Sequence, residues 1–155
     1  MKRTSPPDRT AAARPRSETF ELGSDRDNAE VLEQAEKAAV AAAQAGGLDD
    51  DDAHFLGVAV REAAMNGLVH GCGPAGPSTT VRVTTSDRGV LVATVTDKGP
   101  GFDPGAVPDP RADENVARGS GRGLFFMRCF ADRVRFSFPR RGGAVVRLEK
   151  DLRRA

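Results

Sequence analysis

No run of apolar residues in this 155-residue chain approaches the ~18 that a membrane span needs, and the N-terminus lacks the apolar core of a signal peptide. The expectation is therefore a cytoplasmic protein. Charge of one sign is missing as well: 23 Lys and Arg stand against 22 Asp and Glu, for a formal net charge of +1. Nothing in that balance draws nucleic acid or a membrane surface by a global field. Thiols are scarce, with Cys72 and Cys129 the only cysteines, and two cysteines without an export signal read as reduced. Cys129 lies in an apolar helical run and is expected to be a small core residue, whereas Cys72 is expected to be partly exposed. Apolar residues make up 39% of the chain, modest but globular, and the length suits one domain with a single two-layer core.

What is present begins with a basic, Pro- and Ala-rich stretch over 1–16, where Lys2, Arg3, Arg9, Arg14 and Arg16 face only Asp8. It reads as a disordered tail outside the fold, with weak tethering as the other reading. Residues 19–22 suit a short edge strand. Ser24 offers an N-cap for a helix over 25–45 that Gly46 and Gly47 stop. Val31, Ala35, Ala38 and Ala42 give that helix a small-residue stripe for close packing. The acidic run Asp49–Asp52 suits the start of a second helix, over 51–70. Strands over 81–85 and 90–96 flank a four-residue turn, as a hairpin would. A Pro/Gly/Asp-rich segment over 99–120 follows, longer than the ~12–15 residues compact domains tolerate unless it is a lid or binding loop. The lid is expected at about 102–118. A helix over 121–130 and strands over 133–138 and 144–149 close the chain. This order predicts an α+β fold over 17–151: a two-layer sandwich of a mixed, mostly antiparallel sheet with helices on one face.

Three motifs carry chemistry. Glu62 and Asn66 are four residues apart on the second helix, stacked one turn over the other. At ~100° per residue they fall in the middle of an apolar face formed by Phe55, Val58, Ala59, Met65 and Val69. A charged group there needs a partner or a cavity. Either the pair is satisfied by a buried Arg or backbone group, or the face lines a ligand pocket. In a pocket, Asn66 would offer an oxygen to a hard cation such as Mg²⁺, and Glu62 would orient or deprotonate a nucleophile attacking phosphate. Arg61 points to the other side of the helix. His70, one turn beyond Asn66, reads first as a helix-end dipole partner. Asp97 ends a β-branched run just before Gly99 and Gly101. It could accept from a base amine while the glycines let backbone approach the ring, or belong to an ordinary turn.

Gly119-Ser-Gly-Arg-Gly123 feeds directly into the apolar run Leu124–Met127. A glycine loop opening a helix presents unpaired N–H groups and a positive dipole end, which suits phosphate. Arg122 reads as a phosphate contact or a surface residue. A dinucleotide fingerprint would need a preceding strand in an early βαβ unit, and a P-loop would need Gly-Lys-Ser/Thr; neither pattern is here.

As a set, Glu62-Ala-Ala-Met-Asn66-Gly-Leu-Val-His70-Gly71, Asp97-Lys-Gly-Pro-Gly-Phe102-Asp103-Pro104 and Gly119-Ser-Gly-Arg-Gly-Leu-Phe-Phe-Met127 resemble the nucleotide boxes of the GHKL (Bergerat-fold) ATPase superfamily. The resemblance runs from about Phe20 to Lys150 and is closest to the anti-sigma-factor serine kinases. It implies an ATP-Mg²⁺ site under a mobile lid. Asn66 resembles the metal-ligating Asn, Glu62 the general base and Asp97 the adenine-recognising Asp. Gly99 and Gly101 resemble the adenine-side glycines, and Gly119, Gly121 and Gly123 the phosphate-side ones. The basic tail departs from the family pattern.

The resemblance further implies a protein-serine kinase that phosphorylates an anti-anti-sigma (STAS-like) partner, binds a sigma factor and forms a homodimer. No phosphoacceptor helices precede the site and no transducer domain follows it, which favours a stand-alone kinase. The alternatives are a module that binds ATP and sequesters a partner without transfer, and a detached catalytic subunit acting on a separate histidine-bearing protein. Retention of Glu62 favours transfer, since nucleotide binding alone needs no base.

Overall fold

Alternation along the strands builds the sheet. Val81 and Val83, then Leu91, Ala93 and Val95, turn inward, while Arg82 between the first two and Thr96 after the last stay exposed. This period of two puts one sheet face against a core and leaves the other to solvent. The computed structural model describes residues 16–73, 76–107, 111 and 122–153. Its elements are β1 (Arg16–Gly23), α1 (Asn28–Ala45), α2 (Asp50–His70), β2 (Cys72–Gly73), β3 (Gly76–Thr85), β4 (Val90–Asp97), α3 (Arg122–Phe130), β5 (Arg133–Ser137) and β6 (Val145–Asp151). The strands lie in the order β1-β3-β4-β6-β5, with β2 also paired to β3. Every pairing among the described residues is antiparallel. The helices pack on one face, giving the expected two-layer α+β sandwich.

Leu56, Val60, Ala63 and Ala64 of α2 form one buried cluster with Val81, Leu91, Val95 and Leu148 of the sheet. Gly57 sets how closely the two long helices approach, since a Cβ there would lie 2.5 Å from Val40 Cγ2. The hairpin turn is closed by Ser86 N–H to the Val90 carbonyl at 2.9 Å, with Gly89 at a φ of +72°.

Several boundaries differ from the sequence expectation. Asp27, not Ser24, caps α1: its Oδ1 accepts from the N–H groups of Ala29 and Glu30 at 3.1 and 3.2 Å. The Asn28 amide bonds the Gly23 N–H and carbonyl at 2.9 and 3.0 Å, and this clamp on β1 delays the helix to Asn28. Of the predicted stripe, Ala35 and Ala38 are buried, joined by Leu32, Ala39 and Ala43, while Val31 and Ala42 lie at its margin. Arg16, assigned to the tail, is the first residue of β1, paired with Thr85; residues 1–15 lie outside the described residues. The two-residue β2 had no periodicity to betray it. Cys129 is exposed, as is Cys72. The expected core position is taken instead by Met127, which is 1% exposed, because α3 is short and buries only its Leu124 and Met127 side.

Candidate functional site

The sheet packs against the small residues of α2 rather than its large apolar ones. Ala63, Ala64 and Gly67 are buried, whereas Phe55 and Val69 are 38% and 59% exposed. Glu62 and Asn66 therefore do not sit in the middle of the buried face, as the helical wheel suggested. They lie on its flank, half-buried, where α2 borders a cleft of about 880 Å³. That position resolves the cost of a carboxylate among apolar residues, since it opens on a cavity instead of the core. Arg61 points away and pairs with Glu36 of α1 at 3.1 Å. His70 is exposed in the last turn of α2 and lines the cleft; at that helix end it is the Gly71 N–H that caps, donating to the Gly67 carbonyl at 2.8 Å.

Asp97 is the last residue of β4 and lines the same cleft. Its Oδ1 accepts from the N–H groups of Gly99 at 2.9 Å and Ala144 at 3.1 Å. Oδ2 has no hydrogen bond among the described residues and is available as an acceptor. Backbone fences this carboxylate closely. A Cβ at Gly71 would lie 2.3 Å from Asp97 Cβ and 2.4 Å from its Cγ. One at Gly143 would lie 2.3 Å from the Asp97 carbonyl oxygen, and one at Gly99 would lie 2.6 Å from Gly71 Cα. Gly71 thus makes room for the Asp97 side chain, and Gly143, in the turn before β6, does the same for its carbonyl. Gly101, at a φ of +78°, carries the chain on to Phe102. That ring meets Phe136 and Phe138 edge-on at 5.6 and 5.7 Å. Phe102 and Phe136 form an apolar wall of the cleft that the sequence analysis did not assign.

Of the glycine loop in the third motif, Arg122 and Gly123 are among the described residues. Arg122 begins α3 and lines the cleft with Gly123. A Cβ on Gly123 would lie 3.0 Å from Asn66 Nδ2 and 3.2 Å from Glu62 Oε2. The helix start therefore abuts the acid–amide pair, with its positive dipole end beside a carboxylate. Gly119 and Gly121, and the lid expected at about 102–118 beyond Val107 except for Arg111, lie outside the described residues.

Among the described residues no group of three His, Cys, Asp or Glu side chains could hold a metal ion. A preformed cage is therefore not what this cleft offers. Mg²⁺ usually takes one or two protein oxygens and completes its octahedron with water and substrate phosphates. Asn66 offers one such amide oxygen at the cleft wall, with the Glu62 carboxylate beside it.

Fold and cleft together define a GHKL-type ATPase domain. The family model described as histidine kinase-like ATPase domain matches residues 26–150, and the chain belongs to this family, whose domains generally bind ATP with Mg²⁺. No curated protein matches the chain. No described helix is long and apolar enough to cross a membrane.

Proposed function

We propose that this protein is an ATP-dependent protein-serine kinase of the anti-sigma type, transferring the γ-phosphoryl group of ATP to a serine on an anti-anti-sigma (STAS-like) partner. The observation that carries the reading is the convergence of Glu62, Asn66, Asp97 and the start of α3 on one cleft. Asp97 Oδ2 accepts from the base amine, Gly99 and Gly101 allow backbone to approach the ring, and Gly119, Gly121, Arg122 and Gly123 receive the phosphates. Asn66 would hold Mg²⁺, which supplies neutralisation of phosphate charge when bound. Glu62 takes the proton of the incoming serine hydroxyl as its oxygen bonds the γ-phosphorus and the bond to the β-γ bridging oxygen breaks, releasing ADP. The segment over 102–118 acts as the lid over the nucleotide. A homodimer and a sigma-factor complex belong to the same reading, supported by the sequence resemblance.

The test is transfer from labelled ATP-Mg²⁺ to a STAS-like partner protein. Acid-stable phosphoserine on the partner is expected, and the Glu62→Ala variant should bind ATP yet lose transfer by about 100-fold or more. Transfer by Glu62→Ala at the wild-type rate contradicts the base assignment. Nucleotide binding with no transfer from the wild type would favour the module that sequesters a partner without phosphorylating it. Acid-labile phosphohistidine on a separate protein would favour the detached catalytic subunit.

A further inference from the structure

The sheet buries one face under the helices and leaves the other bare, and the register lines arginines up on the bare face. Arg82 of β3 lies opposite Thr94 of β4, Thr94 opposite Arg147 of β6, and Arg147 opposite Arg135 of β5. Directly paired residues stand on the same face, so this row crosses four strands on the side away from α2. All three arginines are exposed. The β5–β6 hairpin adds Arg133, Arg140 and Arg141, and the chain has no Asp or Glu from Arg133 to Leu148. A chain of net charge +1 thus gathers positive charge in one place.

The carboxylates of this face do not absorb that charge. Glu21 accepts from Thr80 Oγ1 at 3.0 Å, and Asp151 pairs with Arg153 at 3.1 Å. Glu149 takes both Arg147 at 2.8 Å and Arg133 at 3.1 Å. The side chains of Arg82 and Arg135 have no ion pair or hydrogen bond among the described residues. Like charges directly opposite, as at Arg135 and Arg147, weaken a sheet. Charge on an edge strand discourages aggregation, which accounts for β5. It does not account for Arg82 or Arg147, whose strands are paired along both sides.

We infer that the open sheet face is a docking surface for an acidic helix of a partner protein. Arg135 and Arg147 are one strand spacing apart, about 4.8 Å, and Arg147 and Arg82 are two apart, about 9.6 Å. Carboxylates at i, i+3 and i+10 share one side of a helix, with successive rises of about 4.5 and 10.5 Å. The two spacings match. Guanidinium grips a carboxylate through a two-point fork, which lysine cannot do. Half-buried Val92 and Val145 share the face and add apolar contact beside the charges. Single-stranded nucleic acid calls for aromatic stacking platforms, and the strand phenylalanines Phe20 and Phe136 pack on the helix side. A second copy laid on the same face by a two-fold axis would set its arginine surplus against itself. The cleft with Glu62 opens on the helix side, so the partner held here is not the serine acceptor, and the inference does not rest on the nucleotide reading.

The test is fluorescence anisotropy with the full chain and a labelled Ala/Gln-based helical peptide carrying glutamates at i, i+3 and i+10. Its controls are a peptide of equal charge with the glutamates spread around the helix, a single-stranded oligothymidylate, and vesicles containing anionic lipid. The wild type should prefer the patterned peptide over the control peptide by about 3-fold or more, and Arg82→Glu/Arg135→Glu should lose about 10-fold or more. Both side chains are exposed, so the double variant should keep the wild-type melting temperature. If it does not fold, Arg82→Gln/Arg135→Gln makes the same comparison, with an expected loss of about 3-fold. Equal affinity of wild type and folded variant for the patterned peptide overturns the inference, as does no binding or no preference by the wild type. Tighter binding of the oligonucleotide or the vesicles than of the patterned peptide overturns it too. So does a wild-type dimer, seen by sedimentation, that the double variant dissolves.

Discussion

Ala144 donates its backbone N–H to Asp97 Oδ1 at 3.1 Å, across 47 residues of chain. The strand region that follows the third motif thereby fixes the carboxylate of the second. A further N–H, from Gly99, reaches the same oxygen at 2.9 Å. The side chain is held by two donors through one atom, so its orientation is set before any ligand arrives. A pre-oriented acceptor loses little freedom on binding.

Gly123 separates folding from function. Alanine favours a helix by up to about 1 kcal/mol over glycine, which offsets the crowding of the added methyl, so Gly123→Ala should melt near the wild-type temperature. Its methyl group would nevertheless press on Asn66 Nδ2 and Glu62 Oε2, 3.0 and 3.2 Å from the new Cβ. Phosphoryl transfer or ATP turnover should drop by about 10-fold or more from this misplacement. A stable variant with wild-type turnover would show that the approach of α3 to this pair is incidental.

Asn66 should reveal itself through metal dependence. Asn66→Ala is expected to weaken ATP binding by about 10-fold when Mg²⁺ is present and little when it is chelated. Binding isotherms with and without EDTA make the comparison. Equal loss in both conditions would contradict a ligand role.

Glu149 gives a pH signature away from the cleft. The hydrogen bond from Arg147 at 2.8 Å holds its carboxyl below the ordinary value, and Arg133 at 3.1 Å adds to this against the opposing effect of burial. A depressed carboxylate stabilises the fold above its unfolded value of about 4.3. That contribution is lost as pH falls through its lower folded value. Glu149→Gln should therefore cost about 1 kcal/mol or less at pH 7, and the difference from the wild type should vanish in strong acid. Denaturant unfolding across pH checks this; a gap that persists at the lowest pH would contradict it.

The order of elements was legible because alternation and glycine stops are local signals. The α+β sandwich followed from them. The orientation of α2 was not legible, because the helical wheel weights large apolar residues. The sheet instead selects Ala63, Ala64 and Gly67, which let the helix approach, and leaves Phe55 at the rim, stacked on Phe130 with ring centroids 4.6 Å apart. Cys129 misled for the same reason: an apolar run on a short helix does not say which side is covered. The tight fit of Gly71 and Gly143 around Asp97 depends on residues distant in sequence and could not be read locally. Glu62, Asn66, Asp97 and Gly123, singled out by the chemistry of their types at their spacing, line one cleft.

Calorimetric titration of ATP-Mg²⁺ into the wild type and Asp97→Asn tests the nucleotide site most directly. The amide oxygen can keep both backbone hydrogen bonds, so the variant should melt near the wild-type temperature. Its amide nitrogen, however, presents donors where the base amine needs an acceptor. Saturable binding by the wild type, weakened by about 10- to 100-fold in Asp97→Asn, is the expected result. Equal affinities for the two folded proteins, or no binding by the wild type, would contradict an ATP site in this cleft.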